Sequence, residues 1–174
     1  WSIDRMERDL WSLYLGQEVT PPPRTMIDVA RSETPTSRAS LELQQNLLEG
    51  YTPTELPADR HRSPRPTHEG GELEIELGDD VLDELLALGH SEGATPYMTL
   101  LAAFLVAVHR WSDEADVVVG SPWSTRHGTR DGVGCFVETR VVRSSLDGDT
   151  TFREHLRNVR QTLLTLTEHP VPFA

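Results

Sequence analysis

The sequence contains no lysine. All sixteen of its basic residues are arginines, set against 28 acidic ones, and the formal net charge is −12. The arginines are scattered, and the one loose cluster, Arg60, Arg62 and Arg65, sits among prolines. Nucleic-acid binders draw much of their affinity from a basic face that neutralises phosphates, so this pattern argues against a nucleic-acid partner. Cysteine is almost as scarce. Cys135 is alone, which rules out an internal disulfide and points to a reducing, cytoplasmic compartment. Long apolar runs are missing too: the best, Tyr97 to Val108, spans about a dozen residues where a membrane helix needs roughly twenty. A soluble chain with no membrane partner is expected. The sequence opens at Trp1 with no methionine and no basic-then-apolar leader, as expected of an internal piece of something longer.

Several kinds of site are also wanting. The seven histidines form no ligand-like pair: His61 and His68 lie in a proline-rich stretch, and His90, His109 and His155 stand singly in helical patterns. Zinc requires about four N or S ligands, or three plus water in a catalytic site, so no metal is expected. Gly70-Gly71 precedes a strand pattern and not a helix, unlike a phosphate loop. No Gly-x-Ser-x-Gly nucleophile elbow occurs, although composition leaves a Ser-His-Asp triad open. Cys135, between Gly134 and Phe136, reads as a small buried hydrophobe and not a nucleophile.

The residues that are present follow clear periods. Ile3, Met6, Leu10 and Leu13 predict an amphipathic helix ending near Gly16. Val19 to Ser37 is a Pro-, Thr- and Arg-rich connector, and a short helix runs from about Ala39 to Glu49 with Gly50 as its stop. Tyr51 to Gly71 is too rich in proline and glycine for regular structure. Leu73, Ile75 and Leu77 alternate with glutamates, predicting a strand with one wet face. Asp79 or Asp80 should cap a helix closing near Gly93, and Thr95-Pro96 opens another through Arg110. That second helix is apolar nearly all round and is expected deep in the core, against the sheet. Val117-Val118-Val119 predicts a strand buried on both faces, and Phe136 to Arg143 another strand. Thr151-x-x-Glu154 is a capping box opening a helix with Phe152, Leu156, Val159, Leu163 and Leu166 on one face. The fold class is therefore α/β (α+β), a mixed sheet packed by helices. After the valine strand, Ser121, Trp123, Ser124, Thr125 and Arg126 form a polar turn. A ligand-binding loop and an ordinary strand exit both fit it.

These residues resemble a known family. Val117-Val118-Val119-Gly120-Ser121-Pro122 with Arg126 is similar to the valine strand and Gly-x-Pro-x-x-x-Arg turn of nonribosomal peptide condensation domains. Val133-Gly134-Cys135-Phe136-Val137-Glu138-Thr139 through Arg143 resembles their Gly-x-Phe-Val-Asn-Thr strand with its terminal arginine. Leu56-Pro57-Ala58-Asp59-Arg60, Gly93-Ala94-Thr95 with Leu100 to Phe104, Gly148 to Glu154, and Pro172-Phe173 match further phrases in the family's order. The resemblance implies a chloramphenicol acetyltransferase-like fold of two lobes with a tunnel between them. Residues 1–50 would be the end of the first lobe and the crossover, and 51–174 an incomplete second lobe. Trp1-Ser2 matches the pair that comes after the family's His-His-x-x-x-Asp-Gly motif. That motif is therefore expected just before Trp1, and no catalytic residue is expected within this stretch.

The implied activity is amide formation between aminoacyl or peptidyl groups carried on phosphopantetheine arms, with no cofactor bound directly. The implied partners are carrier-protein domains and adjacent synthetase domains. Trp1, Ser121, Trp123, Arg126, Glu138 and Arg140 are the candidate tunnel residues. Three phrases depart from the family: Glu138 replaces its Asn, Met26-Ile27-Asp28-Val29-Ala30-Arg31-Ser32 replaces its Tyr-x-Asp-Phe-Ala-Val-Trp, and Glu168 to Ala174 replaces its His-Gln-Asp-x-Pro-Phe-Glu. They support an alternative, a catalytically degenerate platform that recruits carrier proteins or a tailoring oxygenase. Strand alternation puts Phe136, Glu138, Arg140 and Val142 on one face, and Val137, Thr139 and Val141 on the other. The β-branched second face is expected to point into the core, leaving Glu138 toward the cleft with Arg140 as its cationic partner.

Overall fold

The computed structural model describes the chain except residues 33–35, 61–64, 66–67, 127, 130 and 172–174. The Pro172-Phe173 phrase and His61 thus lie outside the described residues. In chain order the elements are α1 (Ser2–Tyr14), α2 (Met26–Ser32), α3 (Arg38–Leu48), α4 (Asp79–Ser91), α5 (Pro96–Ser112), β1 (Asp116–Ser124), β2 (Val137–Ser145) and α6 (Phe152–Glu168). The class is as expected: helices with a small sheet. The strands β1 and β2 pair antiparallel, bracketed by hydrogen bonds from Leu146 N–H to the Ala115 carbonyl (2.8 Å) and from Thr125 N–H to the Phe136 carbonyl (2.9 Å).

The chain divides into two compact units, Trp1–Gln44 with Gly120–Val141 and His169–Ala174, and Gln45–Val119 with Val142–Glu168. The second unit holds the apolar core, in which α5 packs against both α4 and α6. Helix α6 starts at the predicted capping box: Glu154 Oε2 accepts from Thr151 N–H (3.0 Å) and Oγ1 (2.7 Å), and Glu154 N–H donates back to Thr151 Oγ1 (3.3 Å). It buries Leu156, Val159, Leu163 and Leu166 as its spacing requires, and His155 with them. Thr95 caps α5 by accepting from Met98 N–H, with Pro96 at the first helical position, where a missing N–H costs nothing. Gly89 of α4 lies so close to Thr99 of α5 that a Cβ there would collide with it.

Five sequence expectations need correction. First, α5 is not buried all round. Thr99, Ala102, Leu105, Val108 and His109 are inside, whereas Tyr97, Leu100, Phe104 and Trp111 are exposed. Second, Leu73, Ile75 and Leu77 form no strand and are exposed. Alternation creates a strand only where a neighbour supplies ladder bonds, and none of the described residues does so here. Third, α4 has Gly78 and not an aspartate at its N-cap. Fourth, the connector contains α2, opened by a second capping box in which Asp28 Oδ2 accepts from Thr25 N–H and Oγ1 at 2.8 and 2.7 Å. The Thr-x-x-Asp signal is there in the sequence, but the surrounding prolines outweigh it. Fifth, Val117 alone of the three strand valines is fully buried.

Candidate functional site

The first unit is held by two arginines, and both are candidates from the sequence. Arg126 leaves the end of β1 and reaches three backbone or hydroxyl acceptors. Its Nη1 donates to the Gly132 carbonyl at 2.8 Å, and its Nη2 to Ser2 Oγ at 2.6 Å and to the Gly134 carbonyl at 3.4 Å. Ser2 Oγ in turn donates to the Gly134 carbonyl (3.0 Å) and accepts from the Gly134 N–H (3.2 Å). The guanidinium lies over Phe136 at 4.6 Å and over Trp1 at 5.6 Å from the ring centroids. A planar, permanently charged fork can do both at once, donating in its plane and stacking through its face. Gly134 is indispensable to this arrangement, because its φ is +153° and a Cβ would meet Met26 Sδ at 2.6 Å.

The second arginine, Arg140 on β2, is 6% exposed. Its Nε and Nη2 bond Glu138 Oε1 at 2.6 and 2.5 Å, and its guanidinium stacks on Trp123 of β1 at 4.7 Å. Glu138 retains 18% side-chain exposure, so the pair is mostly desolvated and neither charge is left unmatched. The expected Glu138–Arg140 partnership is present. The face assignment is wrong, however: Phe136, Arg140, Val142 and Ser144 are the buried side of β2, with Glu138 half-buried among them, and Val137 and Thr139 are exposed. β-branched residues suit any pleated surface, so they signal strand but not which side is inward. Ser121 is also inside, at 1% exposure.

The six candidates therefore fall into place as follows. Trp1 and Arg126 meet, Trp123, Glu138 and Arg140 meet, and Ser121 is buried in the same unit. Cys135, expected inside, is exposed. In the second unit Arg143 fulfils a comparable tie. It donates to both oxygens of Asp116 (2.7–3.1 Å) and to the carbonyls of Leu47 and Glu49 (2.8 Å each). That hydrogen bonding holds the Asp116 carboxyl below its ordinary range, with Coulombic attraction adding to it. Among the described residues no group of three or more His, Cys, Asp or Glu side chains is placed to hold a metal ion. No single described helix is long and apolar enough to cross a membrane.

A family model for the condensation domain matches residues 1–174. The chain belongs to the condensation-domain family. It is 35% identical over 187 residues to phosphinothricin tripeptide synthetase PhsB of Streptomyces viridochromogenes, covering 99% of this chain and 16% of that protein. It is 30% identical over 189 residues to cyclosporin synthetase simA of Tolypocladium inflatum, covering 99% of this chain and 1% of that one. Condensation-domain folds are chloramphenicol acetyltransferase-like, and solved structures agree. The X-domain from teicoplanin biosynthesis superposes with a TM-score of 0.85 at 25% identity, over 99% of this chain and 43% of that one. Its complex with OxyB gives the same score over 42% of the chain. A four-domain nonribosomal peptide synthetase bound to AMP and glycine superposes at 0.82 with 23% identity, a likeness of fold alone. The chain thus spans a small fraction of these synthetases and less than half of the X-domain chains.

Proposed function

We propose that this chain is part of an amide-forming condensation domain in a nonribosomal peptide synthetase. Residues 1–50 would close its first lobe and crossover, and 51–174 would build most of its second. One observation carries the reading: Ser2 and Arg126, 124 residues apart and each from a phrase shared with the family, meet at 2.6 Å. In the reaction the acceptor amine attacks the donor's thioester carbonyl. A C–N bond forms, the C–S bond breaks, and the phosphopantetheine thiol leaves as the amine loses its proton. The sequence contains no adjacent histidine pair, so within this chain the work is positioning. Arg126 orders the Trp1-Ser2 segment against the Gly132–Phe136 stretch, and Trp123, Glu138 and Arg140 shape the wall that donor or acceptor meets. Carrier-protein domains and neighbouring synthetase domains are the partners, in the cytoplasm.

The Glu138–Arg140 pair and the X-domain likeness favour a second reading, a domain without condensation activity that binds a tailoring oxygenase. The test is to load both flanking carrier domains of the intact synthetase and follow the acceptor thioester by mass spectrometry. An amide-linked product supports the first reading. Loaded carriers that never form it, with saturable binding of an oxygenase, support the second.

A further inference from the structure

The second unit contains a pair of buried histidines that the sequence offers only as isolated residues. His109 of α5 is 5% exposed and His155 of α6 is fully buried, and their rings lie 6.3 Å apart between centroids at 81°. Each ring has one nitrogen on a backbone carbonyl: His109 Nδ1 on Glu114 at 2.7 Å, and His155 Nε2 on Ala102 at 3.2 Å. A carbonyl oxygen only accepts, so those nitrogens carry protons, and in the neutral ring this fixes the tautomer. The other nitrogens, His109 Nε2 and His155 Nδ1, are buried and have no hydrogen-bond partner among the described residues. Protonating His155 would place a new N–H and a positive charge where neither is matched among the described residues.

The charged surroundings of the two rings differ. His109 lines a cavity of about 400 Å³ with Arg110, Asp113, Glu114 and Asp147, with Phe152 of α6 at its wall. Asp116 of β1 is already held by Arg143 of β2. His155 has the Phe152 ring at 6.5 Å and His109 as neighbours, with no carboxylate among the described residues bonded to it. A positive charge on one ring would oppose a positive charge on the other.

We propose that the His109–His155 pair is a proton-sensitive joint between α5 and α6: the neutral rings hold the two helices together, and acidification loosens them. Burial pushes the His155 imidazole below its ordinary range, and His109 adds to the shift against the opposing bond to Ala102. The unfolded chain then binds a proton that the folded chain refuses. Stability is full above the ordinary imidazole range and falls as pH drops through it, by up to about tenfold in the folded-to-unfolded ratio per pH unit.

Urea unfolding of the chain between pH 7.5 and 5, beside His155→Leu and His155→Gln, tests this. The wild type should lose roughly tenfold in that ratio per pH unit below about 6.5 relative to His155→Leu, which has no group to protonate. NMR of the histidine ring protons in the folded wild type supplies a readout that needs no variant, and His155 should stay neutral well below the ordinary imidazole range. Parallel pH profiles for wild type and variants, or ordinary titration of His155 in the folded chain, would overturn the proposal.

Discussion

The two compact units are stabilised by different chemistry. Of the buried hydrophobic residues among those described, Ala102, Leu105, Val108, Val117, Val142, Leu156, Val159, Leu163 and Leu166 belong to the second unit, and Phe136 alone to the first. The second unit is an aliphatic core. The first relies on two guanidinium groups, Arg126 and Arg140, each stacked on aromatic rings and bonded through its edge. Its helix α1 even turns its polar edge inward. Arg5 bonds Asp9 and the Thr20 carbonyl, whereas Ile3, Met6, Leu10 and Leu13 are exposed. A region built this way trades apolar burial for directional bonds, which fix geometry more tightly than they add stability.

The sharpest way to break the comparison is Leu105→Asp. An unpaired carboxylate at a fully buried position should cost more than about 4 kcal/mol and remove the cooperative urea transition of the second unit. A folded variant would show that α5 is not the core helix. Next comes Arg126→Ala, which strips three acceptors and two ring contacts and should cost about 3 kcal/mol, read as early proteolysis or urea melting of the first unit. Glu138→Ala leaves the buried Arg140 without this carboxylate. Because Glu138 is partly solvated the loss should be nearer 2 kcal/mol than the roughly 3–5 of a fully buried pair, and Glu138→Asn should lose less. Thr151→Ala, at the exposed cap of α6, should raise the unfolding constant only about fivefold.

What the sequence could reveal follows the same division. The α6 face from Leu156 to Leu166, the Thr95-Pro96 start of α5 and the Thr151–Glu154 cap were legible, because each is a local signal with one dominant cause. The inward side of β2 was not. A valine-rich face looked apolar enough, and although the Glu138–Arg140 pairing could be expected from the strand spacing, nothing in the local pattern showed that Arg140 would be buried and sheathed by Trp123. The Arg126 contacts and the His109–His155 pair escaped for a related reason, since they join residues far apart in the chain and depend on geometry that spacing does not encode. The family resemblance supplied the candidate positions; only the three-dimensional structure showed that Trp1, Ser2, Arg126, Gly134 and Phe136 are one cluster.

The most direct test of the arginine-held wall is a condensation assay on the intact synthetase, comparing Arg126→Gln with Leu105→Ala at a temperature where both variants remain folded. If the arginine-held unit forms the working wall, Arg126→Gln lowers the rate of amide formation at least about tenfold at unchanged carrier loading, and Leu105→Ala leaves it within about twofold. Equal rates for Arg126→Gln and the wild type would contradict it.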